Sequence, residues 1–259
     1  MKYLYGLILL LCWQMPVLAA TPMAALSDNQ RISSQILGYD LQYRVLAPLF
    51  IKSAEAVKII FITDGQNYLE HAKFDQVIAS MITQQHISPV IAVFVDSRDP
   101  HDLSVDRRNH QFMCNANYAR FYRDELIPEL EKRYNLHHSA DSRMIMGLSF
   151  GALNAGCFGI LLPETFGYLA MQSPASDKHV KILAKVYQEA PQSAVKMFMT
   201  IGTRNDNTRA GRAFHRQLVK QGYEISYHEV PYGHNWDNWR STLDLLLRWF
   251  SPYQSIPEV

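Results

Sequence analysis

The alternation of short apolar runs with segments of helical period constrains the fold of this chain most. The apolar runs have the length of strands, and several are apolar on both faces; they lie at 57–62, 89–95, 143–146, 168–171, 195–201 and 225–230. Strands buried on both faces are typical of parallel sheets. Between them, helical periodicity recurs at 71–84, 118–134 with a break near Pro128, 150–161, 178–189, 208–221 and 236–250. The pattern predicts an α/β fold, a mostly parallel central sheet with helices on both faces.

Two further segments stand outside this alternation. Residues 35–46 alternate apolar and polar side chains, which predicts a single exposed or edge strand. Residues 96–117 form the one long loop that the pattern leaves between a strand and a helix. Long loops in compact domains often carry function. We found no internal repeat and no interdomain linker.

The first twenty residues predict a secretory signal peptide. A positive start at Lys2 is followed by the apolar run 3–13 and by the small-residue site Val17-Leu18-Ala19-Ala20. An uncleaved anchor is the weaker alternative, because the run is short of the ~20 residues that span a bilayer. We therefore expect a signal peptide at 1–20, a single domain at 21–259, a periplasmic or secreted protein, and no stable membrane insertion after cleavage.

The charge balance argues against nucleic acid as a partner. The chain has 25 Lys and Arg against 24 Asp and Glu, and Lys2 is the single charged residue within 1–20. No run of like charges is present that would follow a phosphate backbone or an anionic membrane surface. Attraction for an anionic substrate must then come from local groups.

The three cysteines lack the spacing of a zinc site. They stand at positions 12, 114 and 157, and Cys12 would leave with the signal peptide. In an oxidising compartment Cys114 and Cys157 could form a disulfide, but a sequence gives no distance between them. Neither a metal nor a cofactor is indicated, and no HExxH is present.

The motif that carries chemistry is Gly147-Leu148-Ser149-Phe150-Gly151, a GxSxG between a strand pattern and a helix pattern. In a nucleophile elbow the serine occupies a strained turn that glycines two residues away on each side permit. Its hydroxyl then lies at a helix N-terminus, where developing negative charge is favoured. The context predicts Ser149 as a nucleophile with the Phe150 amide as an oxyanion donor, and a glycine-lined packing turn is the alternative.

A serine nucleophile needs a base and an acid, which in this fold follow it in the order acid, then histidine. His234 follows the run 225–230 directly and precedes the last helix, so it is the predicted base. Asp206, just after the run 195–201, is the predicted acid. Asp237, three residues after His234, stays open as the rival, although a residue at a helix start has the dipole as a simpler explanation.

The second oxyanion donor is expected in the loop after the first apolar run. That loop contains Asp64-Gly65-Gln66, and Gly65 permits a turn that directs the Gln66 amide toward the serine. Asp64 is a candidate for binding backbone groups or substrate hydroxyls. A plain turn is the alternative for this pair of residues.

Motifs along nearly the whole chain after the signal resemble the esterase D/antigen 85-like branch of the α/β hydrolases. They are Asp64-Gly65-Gln66, Glu125-Leu126-Ile127-Pro128, Gly147 to Ala152, Gln172-Ser173 and Gly233-His234-Asn235-Trp236. Within this branch, residues 108–117 are similar to a segment of the enterochelin esterases, with Gln111 where those enzymes typically have Glu. The chain is most similar to their periplasmic single-domain type.

The resemblance implies a serine esterase and assigns residues to its site. Ser149 would attack the ester, His234 would shuttle the proton, and the amides of Gln66 and Phe150 would stabilise the oxyanion. Arg108 would bind an anionic or catecholate substrate such as a ferric siderophore trilactone, and a salt bridge is its structural alternative. Trp236 is a candidate for lining an aromatic pocket, although its spacing from Trp239 also fits core packing.

The sequence therefore predicts a secreted or periplasmic serine esterase that acts on a small-molecule ester through an acyl-enzyme. Alternatives that keep the nucleophile are an acyltransferase of the antigen 85 type and a feruloyl or acetyl carbohydrate esterase. A catalytically silent hydrolase fold used for binding is the alternative from a different class.

Overall fold

A computed structural model describes residues 23–49, 57–136 and 139–254; the predicted signal peptide lies outside these residues. Nine described strands form one mixed sheet: β1 (Ala24–Leu26), β2 (Gln30–Ser34), β3 (Tyr39–Pro48), β4 (Lys58–Ile62), β5 (Val90–Asp96), β8 (Arg143–Leu148), β9 (Tyr168–Gln172), β10 (Lys196–Gly202) and β11 (Glu224–Val230). Two more, β6 (Arg98–Asp99) and β7 (Asp102–Asp106), form a separate hairpin.

The order of the strands in the sheet is β1-β3-β5-β4-β8-β9-β10-β11, with β2 also paired to β3. The six strands from β5 to β11 in this order are parallel, and β3 runs antiparallel to β5. The predicted α/β class is confirmed.

Helices cover both faces of the sheet because successive strand residues point to opposite sides. On β4, Ile59 and Phe61 belong to one apolar cluster, and Ile60 and Ile62 belong to the other. The helices are α1 (Gly65–Ala72), α2 (Phe74–Thr83), α3 (Arg108–Gln111), α4 (Ala116–Phe121), α5 (Ile127–Tyr134), α6 (Phe150–Leu161), α7 (Asp177–Glu189), α8 (Thr208–Lys220), α9 (Trp236–Arg240) and α10 (Leu243–Phe250). The first cluster packs under α4 to α8, and the second packs under α1, α2, α9 and α10.

The structure corrects two predictions at the start of the chain and in the long loop. Residues 35–46 are not one strand, because 35–38 form a turn between β2 and β3 in which Gly38 has a φ of 74°. Positive φ favours glycine, which has no Cβ to clash with its own backbone. Residues 96–117 are not a bare loop, since they contain the β6–β7 hairpin and α3.

Two predicted helices are each divided. The segment 71–84 is interrupted at Lys73, whose φ of 49° ends α1 and starts α2. The segment 236–250 divides into α9 and α10. The predicted break near Pro128 is a π-helical turn, Tyr122–Leu126, where the Ile127 amide donates to the Tyr122 carbonyl. This wider turn lets the chain continue past a proline, which lacks an N–H and cannot extend a normal helical ladder.

Cys114 and Cys157 are joined by a disulfide with their Cα atoms 5.3 Å apart. The bond fixes the segment between α3 and α4 to α6, the helix that begins directly after Ser149. Among the described residues, none of the helices has both the length and the apolar character that crossing a bilayer requires.

Candidate active site

Ser149 lies in a strained turn between β8 and α6. Its φ of 52° and ψ of −116° lie in a region that residues other than glycine rarely adopt. The turn fits because its two glycines pack against Thr63 at the end of β4: a Cβ on Gly147 would lie 2.3 Å from Thr63 Oγ1, and one on Gly151 would lie 2.6 Å from it. The geometry is that of the predicted nucleophile elbow, with the hydroxyl at a helix N-terminus.

The structure brings Ser149, His234 and Asp206 together in a chain of hydrogen bonds. Ser149 Oγ lies 2.9 Å from His234 Nε2, and His234 Nδ1 lies 2.9 Å from Asp206 Oδ1. The three residues follow β8, β11 and β10, whose carboxyl ends meet at one edge of the parallel sheet. The imidazole side chain is 30% exposed, so a substrate can reach it, whereas the Asp206 side chain has no exposed surface.

Asp206 is held as an anion by its neighbours. Burial by itself raises the pKa of this carboxyl, but the hydrogen bonds from His234, Ser173 and the amides of Gly202 and Asn207 outweigh burial, and the pKa is lowered. An ionised acid at Nδ1 fixes the imidazole tautomer that leaves Nε2 free to accept the serine proton.

The rival acid, Asp237, points elsewhere. Its side chain is 63% exposed and pairs with Arg240 at 2.9 Å. No hydrogen bond joins it to His234 within the described part of the chain. Its position in the first turn of α9 fits the simpler explanation, an acidic residue favoured by the helix dipole.

A layer of buried residues that the sequence reasoning missed supports the acid and the histidine. Asn238 Nδ2 lies 3.0 Å from Ser173 Oγ, 3.2 Å from Asp206 Oδ2 and 3.0 Å from the Gly233 carbonyl oxygen. Ser173 Oγ donates to Asp206 Oδ2 at 2.6 Å. The sequence indicated this layer only in part. Gln172-Ser173 is one of the family-like motifs, but no spacing in the sequence relates Ser173 to Asn238.

The two predicted oxyanion donors begin helices. Phe150 is the first residue of α6 and Gln66 the second of α1, so neither amide has an acceptor within its own helix. The loop before Gln66 contacts the elbow, since a Cβ on Gly151 would lie 3.4 Å from Asp64 Oδ2. Amides without an acceptor in the first turn of a helix are the kind of donor that stabilises negative charge on a substrate oxygen.

Arg108 and Asp64 form an ion pair beside the elbow. Arg108 Nε lies 2.9 Å from both carboxylate oxygens of Asp64. The guanidinium carbon lies 5.4 Å from the centre of the Phe150 ring, and the Arg108 side chain is 21% exposed. Its two terminal nitrogens donate to no described residue, so they remain available at the edge of the site.

This pair revises the prediction for Asp64. The Asp64 side chain has no exposed surface, and burial raises its pKa to about 6 although Arg108 lowers it. Asp64 therefore contacts Arg108 and not the solvent, so a direct contact with substrate hydroxyls does not fit. Arg108 does form a salt bridge, the structural alternative that the sequence analysis gave for it. This salt bridge uses Nε and leaves the two terminal nitrogens of the guanidinium free.

Trp236 is the first residue of α9, and its half-buried side chain packs against α1. Its ring packs against the rings of Tyr68, His71 and Trp239, with centroids 5.2 to 5.5 Å apart. Trp239, and not Trp236, packs edge-on against the His234 ring at 5.2 Å.

No group of three His, Cys, Asp or Glu side chains in the described residues is arranged to hold a metal ion.

Comparison with known families matches this architecture to one of them. The profile of the family described as Putative esterase matches residues 34–250. That range contains every strand from β3 to β11 and all of the candidate site residues. The chain belongs to this esterase family.

The curated proteins that the chain resembles are distant from it in sequence. The iron(III) enterobactin esterase of Escherichia coli K12 is 26% identical over 200 residues, which cover 74% of this chain and 49% of that enzyme. The protein YjcH of Bacillus subtilis 168 is 22% identical over 233 residues, which cover 85% of this chain and 95% of that protein. The chain thus spans about half the length of the enterobactin esterases that it matches.

Solved structures agree on the esterase fold. The enterobactin esterase of Shigella flexneri has a TM-score of 0.74 at 22% identity, covering 86% of this chain and 58% of that one. A ferulic acid esterase has a TM-score of 0.73 at 17% identity, and the match covers 90% of this chain and 98% of that one. At these identities the likeness establishes the α/β fold of the esterase family, and the chemistry must be argued from the site.

Proposed function

We propose that this protein is a serine esterase in which Ser149, His234 and Asp206 form a catalytic triad. The observation that carries the proposal is the hydrogen-bonded chain from Ser149 Oγ through the imidazole to Asp206, with 2.9 Å at each step. The strained conformation of Ser149 adds support, because backbone strain is retained where the surrounding structure enforces it, commonly at active sites.

The geometry supports an acyl-enzyme mechanism. His234 Nε2 accepts the proton of Ser149 as Oγ forms a bond to the ester carbonyl carbon, and the carbonyl oxygen becomes an oxyanion facing the amides of Phe150 and Gln66. As the tetrahedral intermediate collapses, the C–O bond breaks and the alcohol leaves with the proton from His234. Water, deprotonated by the same imidazole, then attacks the acyl group, the acid is released and Ser149 regains its proton.

The substrate class that we propose is a carboxylic ester with a phenolic or catecholate group, such as a siderophore trilactone. The relatives named above are an enterobactin esterase and, for the fold, a ferulic acid esterase. The terminal nitrogens of Arg108 support the proposal, because they lie beside Phe150 and can bind an anionic oxygen of the substrate. The half-buried Trp236 remains a candidate for the aromatic part.

The nucleophile is tested with Ser149→Ala. We expect hydrolysis of activated short-chain esters and labelling by a fluorophosphonate in the wild type, and loss of both in the variant, with a fall in kcat of about 10⁴-fold or more. Turnover retained in the variant would contradict the mechanism. A folded wild-type protein that fails to label would instead favour a binding protein with a silent hydrolase fold.

The substrate class is tested separately by ranking kcat/KM over a siderophore trilactone, feruloyl esters, acetylated sugars and simple aryl esters. A trilactone that ranks no better than a simple acetate would contradict the siderophore assignment while leaving the esterase intact. A feruloyl esterase is the second candidate, and the extent of the ferulic acid esterase match, 98% of that chain, favours it. Product analysis with added alcohols distinguishes hydrolysis from acyl transfer.

We also propose that the protein is exported and cleaved after Ala20. The N-terminal sequence supports this proposal, and so does the disulfide, because such bonds persist in oxidising compartments. Fractionation with N-terminal sequencing of the mature protein is the test. A cytoplasmic protein that retains residue 1 would contradict it.

A further inference from the structure

Two neighbouring helices carry most of the unbalanced positive charge of the molecule. Together α7 and α8 contain seven Lys and Arg against two acids, Asp177 and Glu189. The rest of the chain then has 18 Lys and Arg against 22 Asp and Glu. A protein with a formal net charge of +1 is therefore strongly polarised. The cations are Lys178, Lys181, Lys185, Arg209, Arg212, Arg216 and Lys220, here called the basic face.

The spacing of the cations places them in two parallel stripes. They recur every three or four residues on each helix, and all seven are exposed. Residues three and four apart lie on one side of a helix, so each set forms a continuous row. This periodicity explains why the sequence shows no run of like charges although the folded protein has a concentrated positive surface.

Most of these charges are not neutralised within the protein. Lys185 pairs with Glu189 at 3.7 Å, and Arg212 pairs with Glu229 at 2.6 Å. The other five form no ion pair with a described residue. Since like charges at this spacing destabilise a helix slightly, folding stability does not account for the stripes.

Exposed aliphatic side chains lie among the cations. Ile182 and Val186 on α7 are 51% and 36% exposed, and Val219 on α8 is 53% exposed. A groove of about 460 Å³ separates the two helices, with Lys181, Lys185 and Arg209 among its lining residues. Cations mixed with exposed aliphatic groups on a helical surface are typical of proteins that lie on anionic lipid.

We propose that the basic face docks the protein on an anionic lipid bilayer surface. Charge complementarity favours this occupant, and the aliphatic side chains favour a bilayer over an acidic protein because they can enter the headgroup region. The basic face ends beside the candidate active site. On α7, the His179 ring packs against the Phe150 ring with the centroids 5.2 Å apart. Just before α8, Asn207 donates from Nδ2 to the carbonyl of Pro174, which lies in the loop before α7. Docking would hold the site next to the lipid surface.

The test is cosedimentation of the purified protein with vesicles of phosphatidylcholine alone or mixed with phosphatidylglycerol. We expect binding to the mixed vesicles at low salt and its loss at high salt, because surface attraction acts within a Debye length. Lys181→Gln combined with Arg216→Gln should weaken binding about 25-fold, since each cation near an anionic surface contributes about fivefold. Its melting temperature should be unchanged or slightly raised.

The matched control is Lys73→Gln combined with Lys132→Gln, which removes the same charge from exposed positions away from the basic face. This control and Ser149→Ala should bind as the wild type does, so a failure of the docking proposal is distinct from a failure of the esterase proposal. Equal binding to both kinds of vesicle, or equal weakening in the control, would overturn docking through the basic face. Binding to poly-glutamate without binding to vesicles would overturn it in favour of an acidic protein partner.

Discussion

Asn238 joins the loop of the histidine to the carboxylate of the acid. The side chain is completely buried, and its Nδ2 contacts the Gly233 carbonyl, Ser173 Oγ and Asp206 Oδ2. Gly233 precedes His234, whereas Ser173 follows β9, so one amide links three loops of the candidate site. In the proposed mechanism Asn238 is a positioning residue, because it acts on Asp206 and His234 and not on the substrate.

We predict that Asn238→Ala lowers kcat about tenfold or more with little change in KM. Each lost hydrogen bond of this kind contributes about 0.5–1.5 kcal/mol, and 1.4 kcal/mol is a tenfold change in rate. Steady-state kinetics over a range of pH are the measurement, since a misplaced Asp206 also shifts the acid limb of the profile. Asn154→Ala is the control, because that buried amide has no partner among the described residues and its loss should leave kcat unchanged.

Asp64 couples stability to pH. Its folded-state pKa is raised to about 6 from an ordinary value of 3.8, chiefly by burial. Between pH 3.8 and about pH 6, Asp64 is mostly protonated in the folded state and mostly ionised in the unfolded state. The free energy of unfolding therefore falls as the pH rises through this range. The shift of about 2 pH units corresponds to about 3 kcal/mol.

We predict that this contribution disappears in Asp64→Asn, which does not titrate and tolerates the φ of 54° at this position. The unfolding free energy of the wild type minus that of the variant should fall by about 2 kcal/mol between pH 4 and pH 7, measured by denaturant titration, because the rest of the contribution is lost below pH 4. The exposed Asp28→Asn serves as the control. A difference that stays constant over this range would show that Asp64 is already ionised at pH 4.

At the scale of elements, the approach of β4 to the elbow determines where Ser149 lies. Thr63 Oγ1 donates to the Met146 carbonyl at 3.0 Å and fills the space that a Cβ on either elbow glycine would need. The two glycines differ in their other neighbours. A Cβ on Gly147 would also lie 2.5 Å from the Gly151 carbonyl carbon, whereas for Gly151 the next atom is Asp64 Oδ2 at 3.4 Å.

We therefore predict that Thr63→Ala partly rescues Gly151→Ala but not Gly147→Ala. Each glycine substitution alone should destabilise the protein by about 1–3 kcal/mol through overpacking and reduce activity. Removing Thr63 Oγ1 opens the space beside Gly151, whereas the backbone contact at Gly147 remains. Unfolding free energies and kcat in two double-mutant cycles are the measurement. Equal rescue at both positions would contradict this account of the elbow.

Elements were predicted well where burial alone determines them. The run 57–62 became β4 and the run 195–201 became β10 with boundaries within one residue, because continuous apolar side chains require a strand covered on both faces. Local backbone events were not predictable in the same way. Lys73 adopts a φ of 49° that its residue type does not indicate, and β7 is exposed along its whole length, so burial does not determine it.

At the scale of the whole molecule, the sequence showed which strand each loop follows, but it did not show which side chains from different loops meet. Ser149, His234 and Asp206 could be predicted to lie together because each follows an apolar run, and parallel strands bring such ends to one edge. The pairing of Arg108 with Asp64, 44 residues apart, and the role of Asn238 depend on side-chain directions. Only the folded chain shows these, and the same holds for the basic face.

The disulfide is the long-range link whose removal should affect the whole molecule. Cys114 and Cys157 close a loop of 43 residues, for which chain entropy gives about 4 kcal/mol of stabilisation. The loop begins close to Arg108 and contains Ser149, whose turn is also held by Thr63, whereas His234 and Asp206 lie outside the loop. We predict that Cys114→Ala combined with Cys157→Ala lowers the unfolding free energy by about 2–4 kcal/mol and raises KM for an anionic ester more than it lowers kcat.

Denaturant unfolding and steady-state kinetics with and without a reductant are the measurements. Reductant should destabilise the wild type toward the value of the double variant and leave the variant itself unchanged, because the variant has no bond to reduce. A neutral ester provides the matched substrate, since its KM should change little when the segment around Arg108 is loosened. If KM rises equally for both esters, the segment acts on the shape of the site and not through the charge of Arg108.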